Sequence, residues 1–171
     1  MPTENELKYL LDASCEEQIS QLATEKFDIV QGYFAVNVSN RQPMYTRVRS
    51  KNDKYFFTLK VRNEERTIEV EQEIDSRDFN DLWKYVENSI KKIRYVIKNE
   101  DEYWELDFFK NDENKTYLAI AEVELPEGVT KPKSIPSFIK DNLTLNTPVD
   151  KNVYSNYSIA KFFGRNKLNS H

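Results

Sequence analysis

The chain has a single cysteine, Cys15, a single histidine, His171, and only three glycines, Gly32, Gly128 and Gly164, among 171 residues. One cysteine forbids an internal disulfide and any cysteine zinc cluster. One histidine, at the last position, excludes Ser-His-Asp and Cys-His triads, HExxH helices and histidine-ligated zinc. Three scattered glycines cannot supply a P-loop or a GxGxxG dinucleotide turn. No apolar run approaches the ~20 residues that cross a bilayer as a helix, and Met1-Pro2-Thr3-Glu4 lacks a signal peptide's basic start, so a cytoplasmic protein with no membrane partner is expected. The net charge of −4 argues against an extended nucleic-acid partner, while leaving room for a local basic pocket.

What remains is charge. Charged residues make up 32% of the chain and hydrophobic residues 39%, enough for one domain with a real core. Residues 1–163 are read as that domain, and 164–171 as a frayed tail. Any catalysis must rest on carboxylates, lysines and arginines, together with a hard metal ion.

Period-two alternation with Tyr, Phe, Val, Ile and Thr marks eight strands: Glu4 to Leu10, Ile29 to Val36, Met44 to Ser50, Lys54 to Arg62, Thr67 to Asp75, Lys91 to Lys98, Tyr103 to Lys110 and Tyr117 to Leu125. Polar links such as Ser50 to Lys54 and Asn99 to Asp101 predict antiparallel hairpins. Two helices interrupt the strands. Ser14 with Glu17 forms a capping box ahead of Ile19, Leu22, Ala23 and Phe27. Asp75 or Ser76 caps a stripe of Phe79, Leu82, Trp83, Val86 and Ile90. Pro126 to Pro136 is a loop, a short helix is expected near Ser137 to Asp141, and Asp150 to Phe163 has helical spacing.

The charges inside the strands are the informative feature. Residues i and i+2 of a strand share a face, and six of the eight strands carry a like-signed doublet there: Glu4 and Glu6, Arg47 and Arg49, Glu69 and Glu71, Lys92 and Arg94, Glu105 and Asp107, Glu122 and Glu124. Lys8 and Lys60 extend the set. The opposite parity is apolar, as in Phe57, Leu59 and Val61, or Ile68, Val70 and Ile74, or Ile93, Tyr95 and Ile97. Like charges about 6–7 Å apart repel by up to ~1 kcal/mol in water and more where water is excluded. Two arrangements satisfy the pattern. One is a half-buried sheet whose polar face is solvated. The other is a closed barrel with eight acids and six bases in its lumen, where grouped acids suit Mg²⁺ or Mn²⁺ and grouped Arg and Lys suit phosphate.

Glu4-Asn5-Glu6-Leu7-Lys8 resembles the ExExK signature that opens CYTH domains, the triphosphate tunnel metalloenzymes. Gln31-Gly32-Tyr33, Arg47-Val48-Arg49, Thr58-Leu59-Lys60, Glu69-Val70-Glu71, Lys92-Ile93-Arg94-Tyr95, Glu105-Leu106-Asp107-Phe108 and Glu122-Val123-Glu124 follow in the family's order. The resemblance spans Glu4 to Lys161 and is nearest to short bacterial-type inorganic triphosphatases. It implies an α+β, mainly β, fold: a closed eight-stranded antiparallel barrel, the triphosphate tunnel, with helices packed outside. The implied activity is Mg²⁺- or Mn²⁺-dependent hydrolysis of a linear triphosphate, tripolyphosphate first, to diphosphate and phosphate. The alternatives are a class IV-type adenylyl cyclase, a thiamine or nucleoside triphosphatase, or a non-catalytic polyphosphate- or nucleotide-binding module.

The resemblance further implies that Lys8, Arg47, Arg49, Lys60, Lys92 and Arg94 grip the phosphates, with Lys8 and Lys92 acting in the reaction. Glu4, Glu6 and either Glu122 or Glu124 would hold one metal, and Glu69, Glu71 and Asp107 are candidates for a second. Near the C-terminus Tyr154-Ser155-Asn156 keeps a family element but lacks the usual basic neighbour; either Lys151 substitutes from a different angle or that phosphate contact is lost. Tyr154, Tyr157, Phe162 and Phe163 are expected to pack the last helix against a tunnel mouth. A homodimer contact is the alternative for these aromatics.

Overall fold

The computed structural model describes residues 5–39, 42–62 and 67–163. The strands are β1 (Glu6–Leu11), β2 (Glu25–Tyr33), β3 (Asn37–Ser39), β4 (Gln42–Lys51), β5 (Lys54–Arg62), β6 (Thr67–Ile74), β7 (Asn88–Asn99), β8 (Glu102–Lys110) and β9 (Thr116–Glu124). The helices are α1 (Glu16–Leu22), α2 (Ser76–Trp83), α3 (Ser137–Lys140) and α4 (Asn156–Phe163). Eight long antiparallel strands and few helices make the mainly β fold that the alternation predicts, with β3 as a three-residue addition on β4. Among the described residues, β1 pairs with no strand but β9, its other edge carrying isolated bridges to Leu143 and Val149, and β6 pairs with no strand but β5.

Contacts group the described chain into two compact units, a first of residues 5–28 and 91–155 and a second of 29–90 and 156–163. In the first unit the strand order is β1-β9-β8-β7. One face of this sheet is fully apolar: Tyr9, Leu11, Ala119, Ala121, Val123, Trp104, Leu106, Phe108, Tyr95 and Ile97 are all buried. The register places small against large, with Ala121 opposite Leu106 and Ala119 opposite Phe108. Ile19 of α1 and Ile139 of α3 complete the core. Each of these large side chains contributes about 1.5–3 kcal/mol by leaving water.

In the second unit the order is β2-β4-β5-β6. Val48, Phe57, Tyr55 and Ile74 form the apolar face, covered by Phe79, Leu82 and Trp83 of α2 and by Val86. The carboxylate of Asp75 accepts from the Asp78 amide at 2.8 Å and caps α2, a contact worth about 1 kcal/mol. Gly32 explains itself here. A Cβ built on it would lie 2.6 Å from a Val86 methyl and 2.7 Å from the Trp83 ring, so only glycine lets β2 lie this close to the helix layer.

Several expectations are corrected. The capping box of Ser14 and Glu17 does not form. Asp12 accepts from the Ser14 amide at 2.9 Å and starts a 3₁₀ turn at Ala13–Cys15, and α1 follows from Glu16. Phe27 belongs to β2, not to the α1 stripe, because Ala23 turns extended and ends the helix at Leu22. Ile90 lies in β7, because the chain leaves helix at Lys84 and the Glu87 amide bonds the Tyr33 carbonyl at 2.9 Å. Val70 is 56% exposed although its parity is apolar, and α4 starts only at Asn156, after a turn through 151–154. The polar hairpin links hold, with Asn52 and Glu100 in the left-handed region at φ 53° and 55°. No helix among the described residues is long and apolar enough to cross a membrane. The expected tail from Gly164 lies outside the described residues.

Candidate active site

The like-signed doublets fall on the sheet faces opposite the two cores. In the first unit the register sets Lys8 against Glu122, Glu6 against Glu124, Glu105 against Glu122, and Arg94 against Asp107. Paired residues of neighbouring strands project to the same side. Glu6, Lys8, Lys92, Arg94, Glu105, Asp107, Glu122 and Glu124 therefore share one face, away from Trp104 and Leu106.

Asp107 organises its part of that face. Its Oδ1 accepts from Arg94 Nε at 2.7 Å, and its Oδ2 accepts from Arg94 Nη2 at 2.8 Å and from Lys92 Nζ at 2.5 Å. Arg94 also ion-pairs with Glu105 through Nη1. Lys92 and Asp107 are 2% and 4% exposed, a depth at which charges survive only when paired. Burial by itself would lift the Asp107 carboxyl, but Arg94 and Lys92 hold it well below the carboxylate range. Burial and the neighbouring Arg94 push the Lys92 ammonium down to about 8 despite Asp107. Burial also lifts Glu105. Arg94 pulls the other way and loses, because Asp107 and Glu122 add negative charge.

Lys8 is the second centre of this face. Its ammonium lies 3.4 Å from both Glu6 Oε1 and Glu122 Oε2, and donates to the Tyr154 carbonyl at 3.4 Å. Burial would lower it, but Glu122 and Glu6 outweigh that and raise it. Lys8 is therefore a fixed positive charge between two acids.

The second unit's face is built alike but held differently. Tyr33 lies opposite Arg47 and Gln31 opposite Arg49, while Thr58 lies between Arg47 and Glu71, and Lys60 opposite Glu69. Arg47 reaches Glu69 at 3.6 Å and Glu71 at 3.8 Å, Arg49 reaches Glu71 at 3.2 Å, and Lys60 reaches Glu69 at 3.5 Å. Thr58 Oγ1 donates to Glu71 at 3.0 Å. The Arg49 guanidinium also lies 5.4 Å over the Phe56 ring. Both acids expose about a third of their side chains. Arg47 Nε is buried with no hydrogen-bond partner among the described residues, a donor left over for a ligand.

The structure thus brings the predicted residues into two groups and places every one except Glu4, which lies outside the described residues. Tyr154 lies in the turn before α4 and meets Lys8 through its carbonyl. Phe162 and Phe163 are 74% and 63% exposed, whereas Tyr157 packs between Tyr33 and Tyr45. Those three tyrosines were not assigned together from the sequence, although the parity of Tyr33 and Tyr45 with Gln31 and Arg47 carries the signal. A polar cluster on the first unit was also missed. Glu16 accepts from Lys110 at 2.5 Å, Thr116 at 2.7 Å and Tyr95 at 3.3 Å, pinning α1 to the sheet.

Among the described residues no three Asp, Glu, His or Cys side chains converge into a finished metal site. The donor chemistry nevertheless fits a hard divalent cation. Glu6, Glu122, Glu124 and Glu105 offer oxygen alone, on adjacent strands, and five carboxylates meet three cations on this face.

A mainly β protein with ordered rows of cations and carboxylates on the sheet faces opposite its cores is the class that this fold defines, and comparisons identify its kind. No protein-family model matches. Over 119 residues, covering 65% of this chain and 74% of the other, the sequence is 34% identical to a protein of Acetivibrio thermocellus named inorganic triphosphatase. The crystal structure of the inorganic triphosphatase NE1496 matches with a TM-score of 0.60 and 26% identity, covering 94% of this chain and 95% of that one. The PH1012 protein of Pyrococcus horikoshii OT3 shares the fold, with a TM-score of 0.52 and 18% identity over 75% of this chain and 81% of that one. The chain belongs to the CYTH family, the triphosphate tunnel metalloenzymes.

Proposed function

We propose that this protein hydrolyses a linear inorganic triphosphate to diphosphate and orthophosphate with Mg²⁺ or Mn²⁺. Its sheet would close into an eight-stranded barrel and form a single domain with both charged faces inside. The observation that carries this reading is the row of Arg47, Arg49 and Lys60, each on a partly exposed carboxylate at 3.2 to 3.8 Å. Bonds of that length to partly solvated partners are weak. A phosphate chain, which offers more negative charge and bidentate geometry to arginine, replaces Glu69 and Glu71 at little cost. The names of the relatives support the same substrate class.

Glu4, Glu6, Glu122 and Glu124 are the residues assigned to hold the metal, whose chemistry there is charge neutralisation and polarisation of phosphoryl oxygens. Asp107 is assigned a positioning role instead, because both its oxygens already hold Lys92 and Arg94. Phosphoryl transfer is accelerated mainly by positioning and preorganised charge. Lys8, Lys92 and Arg94 supply that charge from a face that does not rearrange, and Lys8, kept protonated by Glu122 and Glu6, neutralises the phosphoryl under attack.

The test is phosphate release from tripolyphosphate by the purified chain with Mg²⁺ or Mn²⁺. One orthophosphate per diphosphate and loss of activity in EDTA are expected. Background rates with tripolyphosphate, or cyclic AMP formed from ATP as the main product, would refute it.

A further inference from the structure

Phe56 breaks the alternation of β5. The apolar side chains Phe57, Leu59 and Val61 share the other parity of that strand, whereas Phe56 projects with Thr58 and Lys60 onto the charged face. Its register partners there are Arg49 on β4 and Glu73 on β6. The carboxylate that Arg49 meets is Glu71, at 3.2 Å, so the arginine side chain spans β5 to reach the second strand away. It does so over the ring: the guanidinium carbon lies 5.4 Å from the Phe56 centroid, inside the range in which arginine is attracted to an aromatic face. Arg47 spans β5 in the same way toward Glu69 and Glu71, from the position opposite Thr58, where a hydroxyl stands in place of a ring.

Building on the proposed function, we infer that Phe56 is a positioning residue: its ring holds the Arg49 guanidinium across β5 in the orientation that meets the phosphate chain, and goes on holding it once phosphate has displaced Glu71. The two supports of Arg49 respond differently to substrate. Glu71 binds through N–H donors and negative charge, the same two features that a phosphate uses, so carboxylate and substrate compete. The ring binds through the negative face of its π system and takes up no donor at the guanidinium edge, so ring and substrate hold the arginine together. A guanidinium released by Glu71 with no ring beneath it regains rotamer freedom, which the phosphate must then remove.

The experiment is a double-mutant cycle on the full chain. The dissociation constant for tripolyphosphate is measured by calorimetry, with thermal melting alongside, in wild type, Phe56→Leu, Phe56→Tyr, Arg49→Ala, and Phe56→Leu combined with Arg49→Ala. Leucine keeps apolar bulk and removes the π face. Phe56→Leu is expected to weaken binding about three- to tenfold, and Phe56→Tyr, which keeps the ring, to stay within about twofold of wild type. In the Arg49→Ala background the same Phe56→Leu change is expected to alter the constant by less than about twofold, because the group that the ring holds is gone. Equal weakening in both backgrounds would assign Phe56 to the sheet alone and overturn the inference. No weakening in Phe56→Leu, or a loss in Phe56→Tyr as large as in Phe56→Leu, overturns it too. If Phe56→Leu does not fold, Phe56→Met takes its place in the cycle. A wild-type chain that binds tripolyphosphate without turnover refutes the proposed function alone, since every arm of the cycle is a binding constant. A wild-type chain that does not bind it refutes both.

Discussion

The two charged faces both set lysine and arginine against carboxylates, but with opposite mechanical character. On the first unit, Lys92 and Arg94 are locked to a buried Asp107 at 2.5 to 2.8 Å. On the second, Arg47, Arg49 and Lys60 rest on partly exposed Glu69 and Glu71 at 3.2 to 3.8 Å. Burial makes the difference. A buried charge costs several kcal/mol unless fully paired, so the first face is tightly fixed. A partly solvated ion pair is worth under about 1 kcal/mol, so the second is free to exchange partners. One face is preorganised and the other is receptive, the division of labour that binding and charge stabilisation of a polyanion require.

The contrast is sharpest in stability. Asp107→Ala leaves Lys92 and Arg94 buried without their shared acceptor and is expected to destabilise the chain by about 3–5 kcal/mol. Glu71→Gln is expected to cost less than about 1 kcal/mol. Urea melts of the two variants check this, and equal losses would erase the distinction between the faces.

Activity is expected to treat the faces alike. Lys8→Ala and Arg49→Ala should each lower kcat/KM for tripolyphosphate by about 10²–10³ with the melting temperature of Arg49→Ala near wild type. Near-normal turnover in both would mean that these charges never meet the substrate.

A smaller effect probes how the receptive face is supported from behind. Gly32→Ala drives a methyl into Val86 and Trp83, with an expected loss of about 1–3 kcal/mol on the denaturation midpoint. No loss would show that α2 can shift away from β2.

The smallest effect concerns the first unit's interior. Burial, with Asp12 nearby, pushes the Cys15 thiol up to about 11. Because the thiolate is the reactive form, alkylation of the native chain is expected to stay negligible at pH 9 and to climb only as pH approaches 11, while the urea-unfolded chain reacts at pH 9. The same shift makes the thiol's contribution to stability complete below its unfolded value near 8.5 and lost as pH rises through the folded one. Ready labelling at pH 8 would show that this core opens easily.

Much of this was legible in the chain. Period-two alternation located all eight long strands, and the like-signed doublets named the faces, because side-chain parity is a local property of extended backbone. The errors arose where local signals compete. Ser14 and Glu17 spell a capping box, yet Asp12 reaches the free amides first. Ile90 keeps helical spacing from Val86, yet the hydrogen bond from Glu87 to Tyr33 has already turned the chain into β7. The packing of Tyr157 between Tyr33 and Tyr45 was invisible, because Tyr157 is more than a hundred residues from both in sequence and nothing local links them.

The sequence by itself determined which residues bear charge, which share a strand face, and the family to which their order corresponds. Only the tertiary structure decided that Asp107 would be a buried clamp and Glu71 a loose, solvated partner. Parity fixes the side of the sheet to which a carboxylate points. How deep it lies, and so what its charge costs, depends on the strands and helices brought around it by folding.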